Sequence, residues 1–201
     1  DITLYQRKIM NVVIIDYGAG NIQSIRFALA RLGITATLSD DVAVIKNASH
    51  VIFPGVGEAS SAMEKLRATG LDKLIPTLTQ PVLGICLGMQ LMCKNTAEGK
   101  TKGLGIFYTD VVRFETKLNV PHMGWNTVSG KGVLFQNIDQ NSHFYLVHSF
   151  YAVPNEDMVG ACTYGVNFAA ALAKDNFFGT QFHPEKSGAV GASLLQNFLA
   201  L

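Results

Sequence analysis

The sequence predicts an α/β fold, a doubly wound open sheet that is largely parallel, with antiparallel additions in its second half. Three observations carry this. Short apolar runs recur at residues 11–15 (NVVII), 51–53 (VIF) and 82–85 (VLGI). Continuous rather than alternating apolarity is what a strand buried on both faces requires. Segments of helical period lie between these runs, the pattern of βαβ units. From residue 103 onward the chain changes to short alternating segments rich in turn residues, which suits antiparallel hairpins.

Taken in order, the first strand enters a glycine-rich turn, DYGAGN at residues 16–21, and residues 22–32 form an amphipathic helix that stops at Gly33. Residues 36–38 give a second strand. Residues 51–53 give a third, halted by Pro54-Gly55-Val56-Gly57. Residues 60–66 and 71–78 read as helices. The strand opened by Pro81 then turns sharply at Cys86 into a helix with apolar Met89, Leu91 and Met92 and polar Gln90 and Lys94. In the second half, residues 143–153 (HFYLVHSFYAV) read as one aromatic strand, and residues 160–172 and 177–182 as two more. Residues 192–201 close the chain as a helix. The resulting sheet is of the flavodoxin-like type, and in such sheets the site lies at the carboxyl ends of the strands. Residues 10–201 are expected to form one domain. Residues 1–9 (DITLYQRKI), before Met10, read as a remnant of expression cloning, a genuine N-terminal extension being the alternative.

Composition narrows the function classes. A net charge of +1 without a basic run gives no reason to expect nucleic acid or a membrane surface as partner. No apolar stretch reaches the length of a membrane span, and no signal peptide is visible. Three cysteines, at 86, 93 and 162, lack the spacing of a disulfide framework or a zinc site, which points to a reducing compartment, the cytoplasm. No metal or cofactor is expected.

The most informative stretch is Gly84-Ile-Cys86-Leu-Gly88. It has the form of a nucleophile elbow, G-x-Ser-x-G, with cysteine in place of serine. A nucleophile at a sharp strand-to-helix bend has a strained backbone, and glycines two before and two after lack the Cβ atoms that would collide there. A helix N-terminus favours a thiolate, and the Leu87 N–H is placed as an oxyanion donor. The alternative is an inert core thiol. Cys93 and Cys162 read as packing.

A cysteine nucleophile requires a base and the base an orienting group. Of five histidines, His183 stands out in Gly179-Thr-Gln-Phe-His-Pro-Glu-Lys186. Its strand is expected to end at His183, where Pro184 removes a ladder donor, and Glu185 can set its tautomer.

PGVG, GICLGMQ and QFHPEKS, in this order and spacing, resemble a class I (triad-type) glutamine amidotransferase domain over residues 10–201. The resemblance implies a Cys86–His183–Glu185 triad that hydrolyses glutamine through a γ-glutamyl thioester. It further implies an oxyanion hole from the Gly55-Val56-Gly57 turn and Leu87. Glutamine would be held by Gly57, Gln90, Ser149 and Phe150, with Gln90 using its side-chain amide. His122-Met-Gly-Trp-Asn126 resembles the H-x-G-W-N segment of the imidazole glycerol phosphate synthase subfamily, the glutaminase subunits of histidine biosynthesis. Phe150 departs from the tyrosine of some relatives. This second resemblance implies a (β/α)8-barrel cyclase as partner, receiving ammonia, with Asn21, Trp125, Asn126 and Tyr145 at the interface. It also implies near-silence without the partner, with the Gly55–Val56 peptide as a switch. The rivals are a cysteine peptidase, a non-catalytic binding subunit, the glutaminase of another pathway, and a flavodoxin-like cofactor protein. The last lacks a G-x-G-x-x-G fingerprint.

Overall fold

A computed structural model describes residues 10–201; the reading of residues 1–9 lies outside the described residues. The first half alternates strand and helix: β1 (Val12–Ile15), α1 (Ile22–Arg31), β2 (Thr37–Ser39), α2 (Val42–Lys46), β3 (His50–Phe53), α3 (Ala59–Thr69), α4 (Leu71–Leu74), β4 (Val82–Ile85) and α5 (Leu87–Met92). The second half is mostly strand: β5 (Cys93–Thr96), β6 (Thr101–Lys102), β7 (Phe107–Arg113), β8 (His122–Gly130), β9 (Ser142–His148), β10 (Phe150–Ala152), β11 (Met158–Tyr164), β12 (Val166–Lys174) and β13 (Phe177–Thr180), closed by α6 (Gly188–Leu199).

The main sheet runs in the order β2-β1-β3-β4-β13-β12-β10-β7-β5-β6. Strands β2, β1, β3, β4 and β13 pair in parallel, and the antiparallel pairings lie beyond β13, as expected for the second half. Side chains of the parallel strands alternate between two cores. Val13, Ile15, Val51 and Phe53 face α3, α4 and α5 through Met63, Leu66, Leu74 and Met89. Val12, Ile14, Ile52 and Leu83 face α1 and α6 through Ile25, Leu29, Leu194 and Phe198. Burial on both faces is why these runs show no polar alternation.

Several local expectations are corrected. The elbow helix ends at Met92, and Lys94 belongs to β5, where it borders Tyr108 of β7. Residues 71–78 are helical only to Leu74, then tighten into a 3-10 turn through Pro76, whose missing N–H cannot continue the α-helical ladder. Residues 143–153 break at Ser149 into β9 and β10, which pair with different neighbours, β8 and β7. Residues 160–172 hold a hairpin rather than one strand, turned at Gly165, whose φ of +70° suits glycine. Strand β7 does not pair with β8: it lies between β5 and β10. The last strand ends at Thr180, three residues before His183, where the backbone bends out of the ladder.

Two neighbouring strand ends carry the sequence motifs to one place. Thr180 pairs with Ile85, and the Cys86 N–H donates to Thr180 O at 2.7 Å. The Pro54-Gly55 turn at the end of β3 interlocks with α5. A Cβ on Gly55 would sit 2.8 Å from the Gly88 nitrogen, and one on Gly88 would sit 2.0 Å from Phe53 O. Both glycines are therefore required by backbone-to-backbone approach. Gly84 is needed for a related reason, its Cβ meeting the Met89 nitrogen at 2.9 Å. Tyr17 fastens the same turn, donating its buried hydroxyl to Pro54 O at 2.8 Å.

Candidate active site

Cys86 stands between β4 and α5 with φ 56° and ψ −112°. A non-glycine residue in this region costs on the order of 1–3 kcal/mol and persists only where the surroundings over-determine it. Here the surroundings are the glycine contacts just described. Cys86 so placed lines a cavity of about 350 Å³ at the edge of the second core. Val56, Gly57, Leu87, Gln90, His148, Ser149, Phe150 and His183 share its wall with Cys86. Such a volume suits one small ligand. Of the expected oxyanion turn, Val56 and Gly57 reach the cavity, while Gly55 is buried behind them against α5. Leu87 is the first residue of α5, so its N–H has no acceptor within that helix.

His183 is held by backbone and side-chain bonds before any chemistry begins. Its N–H donates to Tyr145 O at 2.9 Å, and its carbonyl accepts from Ser187 Oγ at 2.6 Å. That hydroxyl in turn accepts from the Tyr145 N–H. Nδ1 of the imidazole meets Glu185 Oε1 at 2.6 Å, both side chains being buried. With a carboxylate on Nδ1, Nε2 is left for the cavity. Burial disfavours the charged ring, but the hydrogen-bonding and charge of Cys86 and Glu185 beside it outweigh that and push the His183 pKa up. The sulfur has two further polar neighbours: Sγ faces Val147 O at 3.9 Å and accepts from Gln181 Nε2 at 3.6 Å.

The other two cysteines differ from Cys86 in kind. Cys93 and Cys162 are buried, and burial raises both thiol pKa values, Cys162 to about 12. The packing role expected of them fits this environment.

Gln90 corrects part of the expected ligand contact. Its Nε2 donates to Phe150 O at 3.0 Å and to Gln181 Oε1 at 2.8 Å. Both amide hydrogens are spent within the protein, and only the side-chain oxygen is left for a ligand. The carbonyls of Ser149 and Phe150 are occupied as well, the first by Phe114 N–H and the second by Gln90 and His148. Glu98, which no sequence signal singled out, also lines the cavity; its Oε2 accepts from Ala59 N–H, and burial raises its pKa.

A pair of histidines, His122 and His148, underlies the wall. His122 Nδ1 meets His148 Nε2 at 2.9 Å, and His148 Nδ1 donates to Phe150 O at 2.8 Å. Burial, the largest cause, pushes the His148 pKa down to about 3. The unfolded chain takes up that proton near the ordinary value of 6.5. The contribution of a neutral His148 to stability is therefore present above about pH 6.5 and is lost as pH falls from there. His183, shifted upward, contributes in full below about pH 6.5 and loses its contribution as pH rises, so it adds no slope on the acid side. Calorimetric unfolding temperature is expected to fall between about pH 6.5 and pH 5, and to fall less in His148→Gln. Equal slopes would contradict this.

Of the expected interface residues, Asn21 and Trp125 are exposed and Tyr145 is half-buried. Trp125 is 55% exposed and touches Tyr145 edge-on, opposite it in the β8–β9 ladder. Asn21 is exposed at the start of α1, and its side chain makes no capping bond. Asn126 is the correction. It pairs with buried Phe144, on the face opposite Trp125, and donates to His122 Nε2 and Thr163 O. Met123, 66% exposed and opposite cavity-lining Val147, takes a place beside Trp125 that the sequence reading missed. No described helix is long and apolar enough to cross a membrane.

Comparisons with known proteins bear on the family and the fold. The family described as "Glutamine amidotransferase class-I" matches residues 13–201. "Imidazole glycerol phosphate synthase subunit HisH" of Bacteroides fragilis is 51% identical over 196 residues, covering 96% of this chain and 100% of that relative. The protein of the same name from Haemophilus influenzae is 49% identical over 193 residues, covering 94% and 97%. Among solved structures, a glutamine amidotransferase from Thermotoga maritima superposes with a TM-score of 0.60 at 16% identity, covering 93% of this chain and 81% of that one. At that identity the superposition speaks for the fold alone.

Proposed function

The chain belongs to the class I glutamine amidotransferase family, and from that premise we propose how its site hydrolyses glutamine. It is a glutaminase, the subunit that serves imidazole glycerol phosphate synthase in histidine biosynthesis. The observation that carries the mechanism is the meeting of Cys86 and His183 past the ends of adjacent strands, on the wall of a cavity of glutamine's scale, with Glu185 on the far nitrogen of the ring. Residues 10–201 act as one amidotransferase domain.

In this mechanism the Cys86 thiolate attacks the side-chain amide carbon of glutamine. Charge developing on the amide oxygen is received by the Leu87 N–H and by the Val56–Gly57 backbone. Protonated His183 gives its proton to the departing nitrogen, which leaves as ammonia, and a γ-glutamyl thioester remains on Sγ. His183, now neutral, takes a proton from water as that water attacks the thioester. Glutamate departs, and the thiolate–imidazolium pair is restored. Glu185 holds the ring in one tautomer and stabilises its charge throughout. At the amino-acid end, the Gln90 oxygen and the Glu98 carboxylate suit an α-ammonium group, which offers only donors.

The ammonia acceptor in this reading is a (β/α)8-barrel cyclase docked over the cavity mouth. Met123, Trp125 and Tyr145 form the docking face, an aromatic and methionine cluster of the kind enriched at interface hot spots, with Asn21 a further expected contact. Hydrolysis without an acceptor wastes glutamine, and one missing oxyanion donor is worth roughly a hundredfold to a thousandfold in rate. The Gly55–Val56 peptide is therefore the proposed gate. Glutamate release is expected to be slow for the chain alone and to rise on the order of a hundredfold or more with the cyclase and its ribonucleotide substrate. Equal rates with and without the cyclase would overturn the gate. No stimulation by any barrel cyclase would overturn the partner.

A further inference from the structure

Gln181 lies in the cysteine–histidine site, yet the mechanism above gives it no role. It is wholly buried, and its backbone N–H is fixed to Ala170 O at 2.8 Å, in the bend between β13 and His183. The orientation of its amide follows from its neighbours. Phe150 O can only accept, so the Gln90 amide presents its nitrogen there, at 3.0 Å. The same nitrogen lies 2.8 Å from Gln181 Oε1, which must therefore be an oxygen. That leaves the Gln181 amide nitrogen as the atom 3.6 Å from Cys86 Sγ, with its hydrogens free for the sulfur. The polarity extends further back. His148 Nδ1 also faces Phe150 O and must donate, so its Nε2 accepts from His122, and His122 Nε2 accepts from Asn126. Each donor in this chain is set by an acceptor that has no alternative.

We propose that Gln181 is a further residue of the catalytic centre, whose side-chain amide donates a hydrogen bond to Cys86 Sγ, favours its thiolate and holds the sulfur in its attacking position. A hydrogen bond to an ionised acceptor is about twice as strong as one between neutral groups, so the bond is worth more once the proton has left. An amide suits the position because it cannot itself titrate or take the proton meant for His183. Its link through Gln90 also ties the sulfur to the residue that meets the amino-acid end of the ligand. The proposal rests on the reading of Cys86 as nucleophile. Its test uses iodoacetamide, which requires neither glutamine nor a partner, so the two readings fail separately.

The rate of Cys86 alkylation by iodoacetamide is followed against pH by peptide mass spectrometry, in the full chain and in Gln181→Met. Methionine keeps the volume and lacks the donor. The midpoint of the profile is expected to rise by about one pH unit, the plateau at high pH being kept. An unchanged midpoint, or a profile scaled equally at every pH as lost access would give, overturns the proposal. The unsubstituted protein supplies a second reading that does not depend on the variant's folding. The assigned Gln181 side-chain amide protons are expected to shift in NMR spectra with the same midpoint as Cys86. Amide protons that stay unmoved across that transition overturn it.

Discussion

Cys86→Ala is expected to lower glutamine hydrolysis by on the order of a millionfold, to the background of the reaction in water plus binding. The sulfur is the atom that forms the thioester, and no other thiol stands in for it. Cys93 and Cys162 are buried in the cores, where desolvation disfavours their thiolates. The side chain of Cys86 lines the cavity at the edge of one core, and alanine removes only its sulfur, so packing changes little. The strained backbone at φ 56° is tolerated by alanine no worse than by cysteine. Unfolding temperature should therefore stay within a few degrees of the parent while turnover vanishes. Measuring glutamate release in the activated complex, beside a thermal melt, separates the two effects. Residual turnover within a hundredfold of the parent would move the nucleophile elsewhere.

Glu185→Gln is expected to cost about 10⁴-fold in turnover, by analogy with amide replacement of the buried acid in serine triads. Glu185 Oε1 receives the His183 Nδ1 proton at 2.6 Å, while Oε2 is buried and has no hydrogen-bond partner among the described residues. Glutamine matches the shape and removes the charge. An amide nitrogen placed toward Nδ1 would force the other tautomer, putting the ring proton on Nε2, where it cannot act as base. An amide oxygen placed there keeps the tautomer but leaves the imidazolium without its counter-charge in a buried site. Either way the His183 pKa falls from its raised position. The turnover profile should move accordingly, the limb that requires a protonated imidazole shifting to lower pH. A loss of rate with an unshifted profile would mean that Glu185 acts only through packing.

The parts of the site that were legible in the sequence are those whose geometry is local. Gly84, Cys86 and Gly88 fall within five residues, and their spacing is dictated by a bend whose steric demands are the same wherever it occurs. His183 and Glu185 are two apart, with Pro184 between them opening a short 3-10 turn that sets the carboxylate beside the ring. The apolar runs of β1, β3 and β4 announced a sheet buried on both faces because their side chains pack into a core on either side. What depended on distant partners was not legible. Asn126 stands next to Trp125 in sequence, yet a strand sends adjacent side chains to opposite faces, and Asn126 turned inward to His122. Glu98 reaches the cavity from a turn after β5, a placement that rests on the packing of that turn against the start of α3. Residues 143–153 are rich in aromatic and aliphatic side chains on both sides of Ser149, so no local signal marked it as the break between two pairings. Gln181 could be seen in the motif but not its amide orientation, which follows from Gln90, 91 positions away.

The most direct test of Cys86 as the nucleophile of a glutaminase is covalent capture. The activated complex is incubated with the γ-diazoketone analogue of glutamine, and the peptides are weighed by mass spectrometry. The expected result is one adduct, on Cys86, absent from Cys93 and Cys162 and suppressed by excess glutamine. Absence of an adduct on a Cys86 that still reacts with iodoacetamide would contradict glutamine recognition at this cavity, and with it the function assigned to the site.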